Sequence, residues 1–174
     1  GYHGWQFDST GACRKVPGLC DGTEEPGHPG TSFAVCEQDG LVWVYGRPEV
    51  APETLPFALP SFEDTRYTVV HHVVEAEGTL HATVENALDV PHTAFLHRGL
   101  FRGTGTTNKI TARVTRTACS VQAEYIGEPC PGGLAARLLA PGGGEVVHFD
   151  RFLLPCIAQV EYGLGPHNHI LITS

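Results

Sequence analysis

The chain reads as an α+β protein: a small β domain, a proline-rich connector, then a domain in which one helix precedes an antiparallel meander. Three observations carry this reading. Short apolar and aromatic runs alternate with glycine-centred turns over residues 1–47. Prolines recur at 48, 52, 56 and 60. Beyond Gly99, runs with a two-residue alternation follow one another between Gly and Pro breaks.

In the first domain, Tyr2 to Phe7 and Ala12 to Val16 flank a Ser-Thr-Gly turn. Ser32 to Glu37 and Leu41 to Tyr45 flank Gln38-Asp39-Gly40, a hairpin signal. Leu41-Val42-Trp43-Val44-Tyr45 is β-branched and aromatic, as a packed strand should be. The prolines of 48–64 cannot donate to a ladder or sit inside a helix, so that stretch is expected to be an extended linker between domains 1–47 and 65–174.

The second domain opens with a strand-like run, Arg66 to Glu75. Residues 79–90 then place Leu80, Val84, Ala87 and Leu88 at helical spacing. Strands are expected at 109–117, 119–126, 134–139, 145–154, 157–162 and 170–173.

The formal net charge of −8 argues against a nucleic-acid partner, whose phosphates need a basic footprint. No apolar run approaches the ~20 residues needed to span a bilayer. No signal-peptide pattern is visible, so a cytoplasmic protein with reduced thiols is expected for the six scattered cysteines. The chain has no methionine and ends on Ile-Leu-Ile-Thr-Ser, which suggests an internal piece of a longer protein.

Two constellations carry chemistry. The first is Tyr2-His3-Gly4-Trp5, followed by Phe7-Asp8 and, further on, Gly11 and Pro17. His3 alone could be an ordinary half-buried histidine. The second is Asp89-x-x-His92-x-x-x-x-His97, preceded by Glu85-Asn86. Asp89 and His92 share one helix face. His92 and His97 lie ~140° apart on a straight helix and cannot chelate one ion from it. Pro91 can break or restart the helix and let the two imidazoles converge. Two imidazoles and a carboxylate on one side of Fe(II) leave positions open for O₂ and substrate. The plainer alternative is a polar helix with scattered histidines. Asp150 with Arg151 reads as a structural polar pair on a strand. His167 and His169 fall on one strand face, and two ligands make no metal site.

Together these motifs resemble the oxygenase (α) subunit of Rieske non-haem iron oxygenases, closer to the O-demethylase-like branch than to the naphthalene-type ring dioxygenases. The first motif resembles the second ligand box of a Rieske domain, Cys-x-x-His-Gly-Trp. The resemblance spans essentially the whole chain and is strongest at 1–17, 40–46 and 85–97. It implies the C-terminal half of a small all-β Rieske domain followed by part of a helix-grip catalytic domain, an antiparallel sheet around a helix. His3 would then be a ligand of a 2Fe-2S cluster, with its partner ligands outside the chain. His92 and His97 would hold a mononuclear Fe(II), whose third ligand also lies outside the chain. Asp89 would be the bridging acid linking the two centres across subunits, which implies a homotrimer.

The implied activity is oxygenation of a small apolar, aromatic substrate by hydroxylation or oxidative demethylation. It would use O₂ and electrons from a ferredoxin or flavin reductase. The piece itself is expected to be inactive. Two other classes stay open: a non-catalytic helix-grip module for hydrophobic ligands, and a zinc hydrolase using the same histidines.

Overall fold

The computed structural model describes residues 2–18, 27–92, 109–130, 140, 144, 146–166 and 168–174. The chain forms two compact units, Gly1–His71 and His72–Ser174.

The first unit begins with a 3-10 turn at Tyr2–Gly4, followed by strands β1 (Gln6–Phe7) and β2 (Cys13–Lys15) in an antiparallel pair. Asp8 organises the turn between them. Its Oδ1 accepts from Thr10 N (2.9 Å), Thr10 Oγ1 (2.6 Å) and Ala12 N (3.1 Å). Its Oδ2 accepts from Arg14 Nε at 2.7 Å. The hydrogen bonds from Thr10 lead in holding this carboxyl well below the usual range.

Strands β3 (Phe33–Gln38) and β4 (Leu41–Pro48) form the expected hairpin. Its two central residues have φ of 54° at Asp39 and 70° at Gly40. Positive φ at both positions is the requirement of a type I′ turn, whose twist matches that of the strands. Residues after β4 fold back onto this hairpin. Leu59 N donates to Asp39 Oδ2 (2.6 Å), and Gln38 Nε2 donates to the Phe57 carbonyl (3.2 Å). The first unit therefore contains the proline-rich stretch and runs on through His71.

The strand expected over 66–75 does not form. Tyr67 N donates to the Asp64 carbonyl in a turn (2.9 Å), and residues 68–76 join no ladder. Val70, Val73 and Val74 are 82%, 87% and 74% exposed. A β-branched run supplies propensity only, and a strand also needs a partner to take up its backbone groups. His71 and His72 therefore do not alternate across a sheet.

In the second unit, α1 runs Leu80–Leu88. The Thr79 side chain caps it by accepting from Ala82 N at 3.2 Å. The helix ends at Asp89, whose ψ of 87° is non-helical, and the backbone turns helical again at 90–92. Pro91 thus sits in the first turn of a new helical segment, where its missing N–H costs nothing. The break falls at Asp89, before Pro91.

Five strands follow as an antiparallel meander in the order β5-β6-β7-β8-β9: β5 (Thr111–Arg116), β6 (Ser120–Ile126), β7 (Val146–Leu153), β8 (Ile157–Leu164) and β9 (Asn168–Thr173). The strand expected at 134–139 lies outside the described residues. α1 contacts β8. Ala158 and Leu164 of β8 are buried, as is Val90 beyond the helix. The mostly-sheet architecture is consistent with the resemblance to Rieske-type proteins.

Candidate functional site

The register sorts the sheet into two faces. On one, Tyr125, His148 and Tyr162 lie side by side across β6, β7 and β8. The next row on that face is Ala123, Asp150 and Val160. The opposite face carries Gln122, Arg151 and Gln159 in one row, with Glu124, Phe149 and Glu161 in the next.

The first face holds a buried chain of charges. Glu128 Oε2 lies 2.6 Å from His148 Nδ1, and Asp150 Oδ1 lies 3.0 Å from His148 Nε2. His148 is 1% exposed and Asp150 5%. The imidazole stacks between Tyr162 (4.0 Å) and Tyr125 (4.7 Å). Burial works against its charge, but Asp150 and Glu128 outweigh it and hold the imidazole above its ordinary pKa. The shift favours the charged form, in which both ring nitrogens can donate, one to each carboxylate. The Tyr125 phenol is pushed up to about 12, by burial first, then by Asp150, with Glu128 and Asp89 adding their charges. Asp89, at the end of α1, thus lies within electrostatic reach of this face.

This corrects the expected Asp150–Arg151 pair. Strand alternation sends the two side chains to opposite faces. Arg151 instead donates through Nε to Gln122 Oε1 (2.7 Å) and pairs through Nη1 with Glu161 Oε2 (2.5 Å). His169 Nε2 lies 2.7 Å from Glu161 Oε1. Burial opposes ionisation of Glu161, yet His169 and Arg151 together lower its pKa. His167 lies outside the described residues, so no metal pair with His169 is described.

The sequence motif of Asp89 and His92 survives as a local pair. Their side chains approach to 3.8 Å between Asp89 Oδ2 and His92 Nδ1, with 48% and 18% exposure. Buried Val90 fixes the backbone between them. His97 lies outside the described residues, and its convergence with His92 is not described. Among the described residues, no three His, Cys, Asp or Glu side chains gather for a metal. The donor chemistry nevertheless fits ferrous iron at His92, an imidazole beside a carboxylate.

His3 is exposed, with φ of 48° in the left-handed region. Gly4 follows at φ 81°, where a Cβ would come within 2.9 Å of Pro17 Cγ. The glycine of the His-Gly-Trp box is thus required by the close approach of Pro17 as well as by its φ. His3 fits one quarter of a cluster's donor set by type alone.

Sequence reasoning missed Glu128 and His148. His148 and Asp150 are two apart on a strand, a spacing that puts both on one face and could have signalled the pair. Glu128 follows β6 in a Gly-Glu-Pro segment and carried no signal.

No protein-family model matches the chain. It is 35% identical over 102 residues to chlorophyllide a oxygenase of Chlamydomonas reinhardtii, covering 58% of this chain and 15% of that protein. It is 29% identical over 99 residues to methylxanthine N1-demethylase of Pseudomonas putida, covering 56% and 28%. It is 27% identical over 165 residues to protein TIC 55 of Pisum sativum, covering 91% and 27%. The chain therefore spans less than a third of the length of each of these relatives. The homologues of this chain, at 25–35% identity, are Rieske-type oxygenases, a class of oxidoreductases.

Proposed function

We propose that this chain supplies part of the oxygenase component of a Rieske-type enzyme, one that hydroxylates or oxidatively demethylates an apolar ring substrate. The observation that carries the reading is the Asp89–His92 pair at the break after α1. The helix stops at Asp89 and restarts at 90–92, so the Asp89 and His92 side chains meet across the break and not along one helix face. In this reading His92 and His97 hold the mononuclear iron and His3 is one cluster ligand, with the remaining ligands outside the chain. The iron, when bound, would supply O₂ activation.

The chain's own residues have three tasks. His92 would bind the metal through a ring nitrogen and be oriented by Asp89. Asp89 bridges toward the cluster histidine of a neighbouring subunit in a homotrimer. The sheet, whose β8 contacts α1, would form one wall of the substrate site. Electrons come from a ferredoxin or flavin reductase. Relatives named for demethylation, hydroxylation and oxygenation support both outcomes.

The test is an anaerobic Fe(II) titration of the full-length protein and its His92→Ala variant. The expected result is one tight Fe(II) per subunit, lost in the variant together with reductase-dependent product formation. Full turnover by the His92→Ala variant overturns the reading. A non-catalytic binding module would take up ligand but no iron. A zinc hydrolase would be active without a reductant and would show no visible cluster band.

A further inference from the structure

We propose that the Glu128–His148–Asp150 chain is a pH-operated latch, which fastens residues 127–130 to the sheet while a proton bridges each of its two contacts and lets Glu128 turn out to water when one of those protons leaves.

The latch joins parts of the chain with unequal freedom. His148 and Asp150 stand two residues apart on β7, which is paired with β6 on one side and β8 on the other. Glu128 lies two residues beyond the end of β6, after Gly127 at φ 85°. Residues 127–130 join no ladder. A second tie follows at Cys130, whose thiol donates to the Gly144 carbonyl at 3.0 Å. A thiol is a weak donor, so the Glu128 contact is the stronger of the two.

The proton count follows from the contacts themselves. Glu128 Oε2 lies 2.6 Å from Nδ1 and Asp150 Oδ1 lies 3.0 Å from Nε2, and the His148 side chain between them is fully buried. An oxygen and a nitrogen at such a distance need a proton between them. The chain therefore holds two bridging protons, wherever each one sits. With one of them gone, a neutral imidazole with a single N–H faces two carboxylates. One contact then becomes two facing lone pairs, away from water, and it must lengthen. Asp150 is fixed to its place by the ladder on both sides of β7. Glu128 is not, and a turn of its side chain brings the carboxylate to solvent.

The other titratable groups on the ring, among the described residues, are Tyr125 of β6 and Tyr162 of β8, stacked at 4.7 and 4.0 Å. The Tyr125 phenol, pushed up to about 12 by burial first and then by Asp150, keeps its proton while the imidazole titrates. Burial opposes the charge on His148, but Asp150 and Glu128 outweigh it and raise its folded-state value. The latch is therefore closed below the ordinary imidazole value of about 6.5 and opens as pH rises through the folded-state value.

The experiment labels the thiols of the full-length protein with short pulses of iodoacetamide from about pH 6 to about pH 10, and reads each cysteine by peptide mass spectrometry. Half-buried Cys130 reports the segment, and exposed Cys156, in the turn between β7 and β8, is the reference. Their ratio cancels the rise in thiolate that cysteines share as pH climbs. Losing one hydrogen bond between charged groups shifts an opening equilibrium about 10- to 100-fold, so the wild-type ratio should rise by about tenfold or more. In Glu128→Gln the amide can accept from a protonated ring nitrogen or donate to a bare one, so the ratio should stay within about twofold of its value at the acidic end. His148→Phe has no ring nitrogen to fasten Glu128, and its ratio should be high at every pH.

A flat wild-type ratio overturns the proposal. So does a Glu128→Gln profile that rises as the wild type does, or a His148→Phe ratio as low as that of the wild type at the acidic end. Loss of β7 and β8 amide protection in step with the ratio would mean unfolding of the sheet, and overturns it too. If His148→Phe fails to fold, the wild-type and Glu128→Gln profiles still decide. None of these measurements needs iron, so their outcome is separate from that of the iron titration.

Discussion

Replacing His148 by Phe isolates the worth of the buried charge chain. Phenylalanine keeps a ring between Tyr125 and Tyr162, which stack on His148 at 4.7 and 4.0 Å, so most of the packing survives. Both hydrogen bonds are lost, the 2.6 Å contact with Glu128 and the 3.0 Å contact with Asp150. Each joins charged groups and contributes about 1.5–3 kcal/mol. Their sum is about 3–6 kcal/mol. Protonation of one stranded carboxylate recovers part of this, which brings the expected loss to about 3–5 kcal/mol, the usual cost of removing one partner from a buried ion pair.

Urea unfolding separates this effect from the first unit. Both tryptophans, Trp5 and Trp43, lie in Gly1–His71, so their fluorescence reports that unit. Hydrogen exchange of the β7 and β8 amides reports the meander. With a slope of about 2 kcal/mol per molar urea, the meander midpoint should fall by about 2 M while the tryptophan transition stays in place.

The pH dependence gives a second reading. The folded-state pKa of His148 is raised, so its stabilisation is complete below the ordinary imidazole value of about 6.5 and is lost as pH rises through the folded-state value. The gap between wild type and His148→Phe should therefore be widest below about pH 6.5 and narrow as pH rises through the folded-state value. A loss under about 1 kcal/mol, or a gap that widens with rising pH, would refute the ionised relay.

Two further changes probe the frame. Gly40→Ala forces a side chain onto φ 70° in the hairpin turn, and should destabilise the first unit by about 1–2 kcal/mol, read at Trp43. On the other sheet face, Glu161→Gln breaks the contacts with Arg151 and His169 and should cost about 1 kcal/mol after solvent screening. Because the Glu161 pKa is depressed, that contribution is present above the ordinary carboxylate range and disappears as pH falls through the folded value. The difference in urea midpoint between the two proteins should thus be full at pH 7 and shrink as pH falls below the ordinary carboxylate range.

What the sequence made legible was local. The Asp39-Gly40 turn and the two-residue alternation of the meander are short-range rules, and both appear in the structure. So does the helix over 79–90, trimmed to Leu80–Leu88 by the cap at Thr79 and the break at Asp89. The run 66–75 misled because Val69, Val70, Val73 and Val74 express propensity without a neighbour to pair with. Asp150 was matched to Arg151 because they adjoin in the chain, although alternation separates them and brings Asp150 to His148 instead. Glu128 meets His148 across 20 positions, a contact set by where β6 ends, and no local pattern encodes that.

The same contrast explains why the candidate iron pair depends on the sheet. α1 has nine residues, none of them buried, and a helix of that length is marginal in isolation. Its Thr79 cap contributes about 1 kcal/mol, too little to fix its end. Asp89 and His92 are therefore placed by what lies around the helix: its contact with β8, and buried Val90 between the two side chains. β8 is in turn paired with β7, where the Glu128–His148–Asp150 chain is buried. A motif written at the end of the helix is thus held in register by charges written 36 to 61 residues later, so loosening the relay should loosen the 3.8 Å approach of Asp89 to His92 as well.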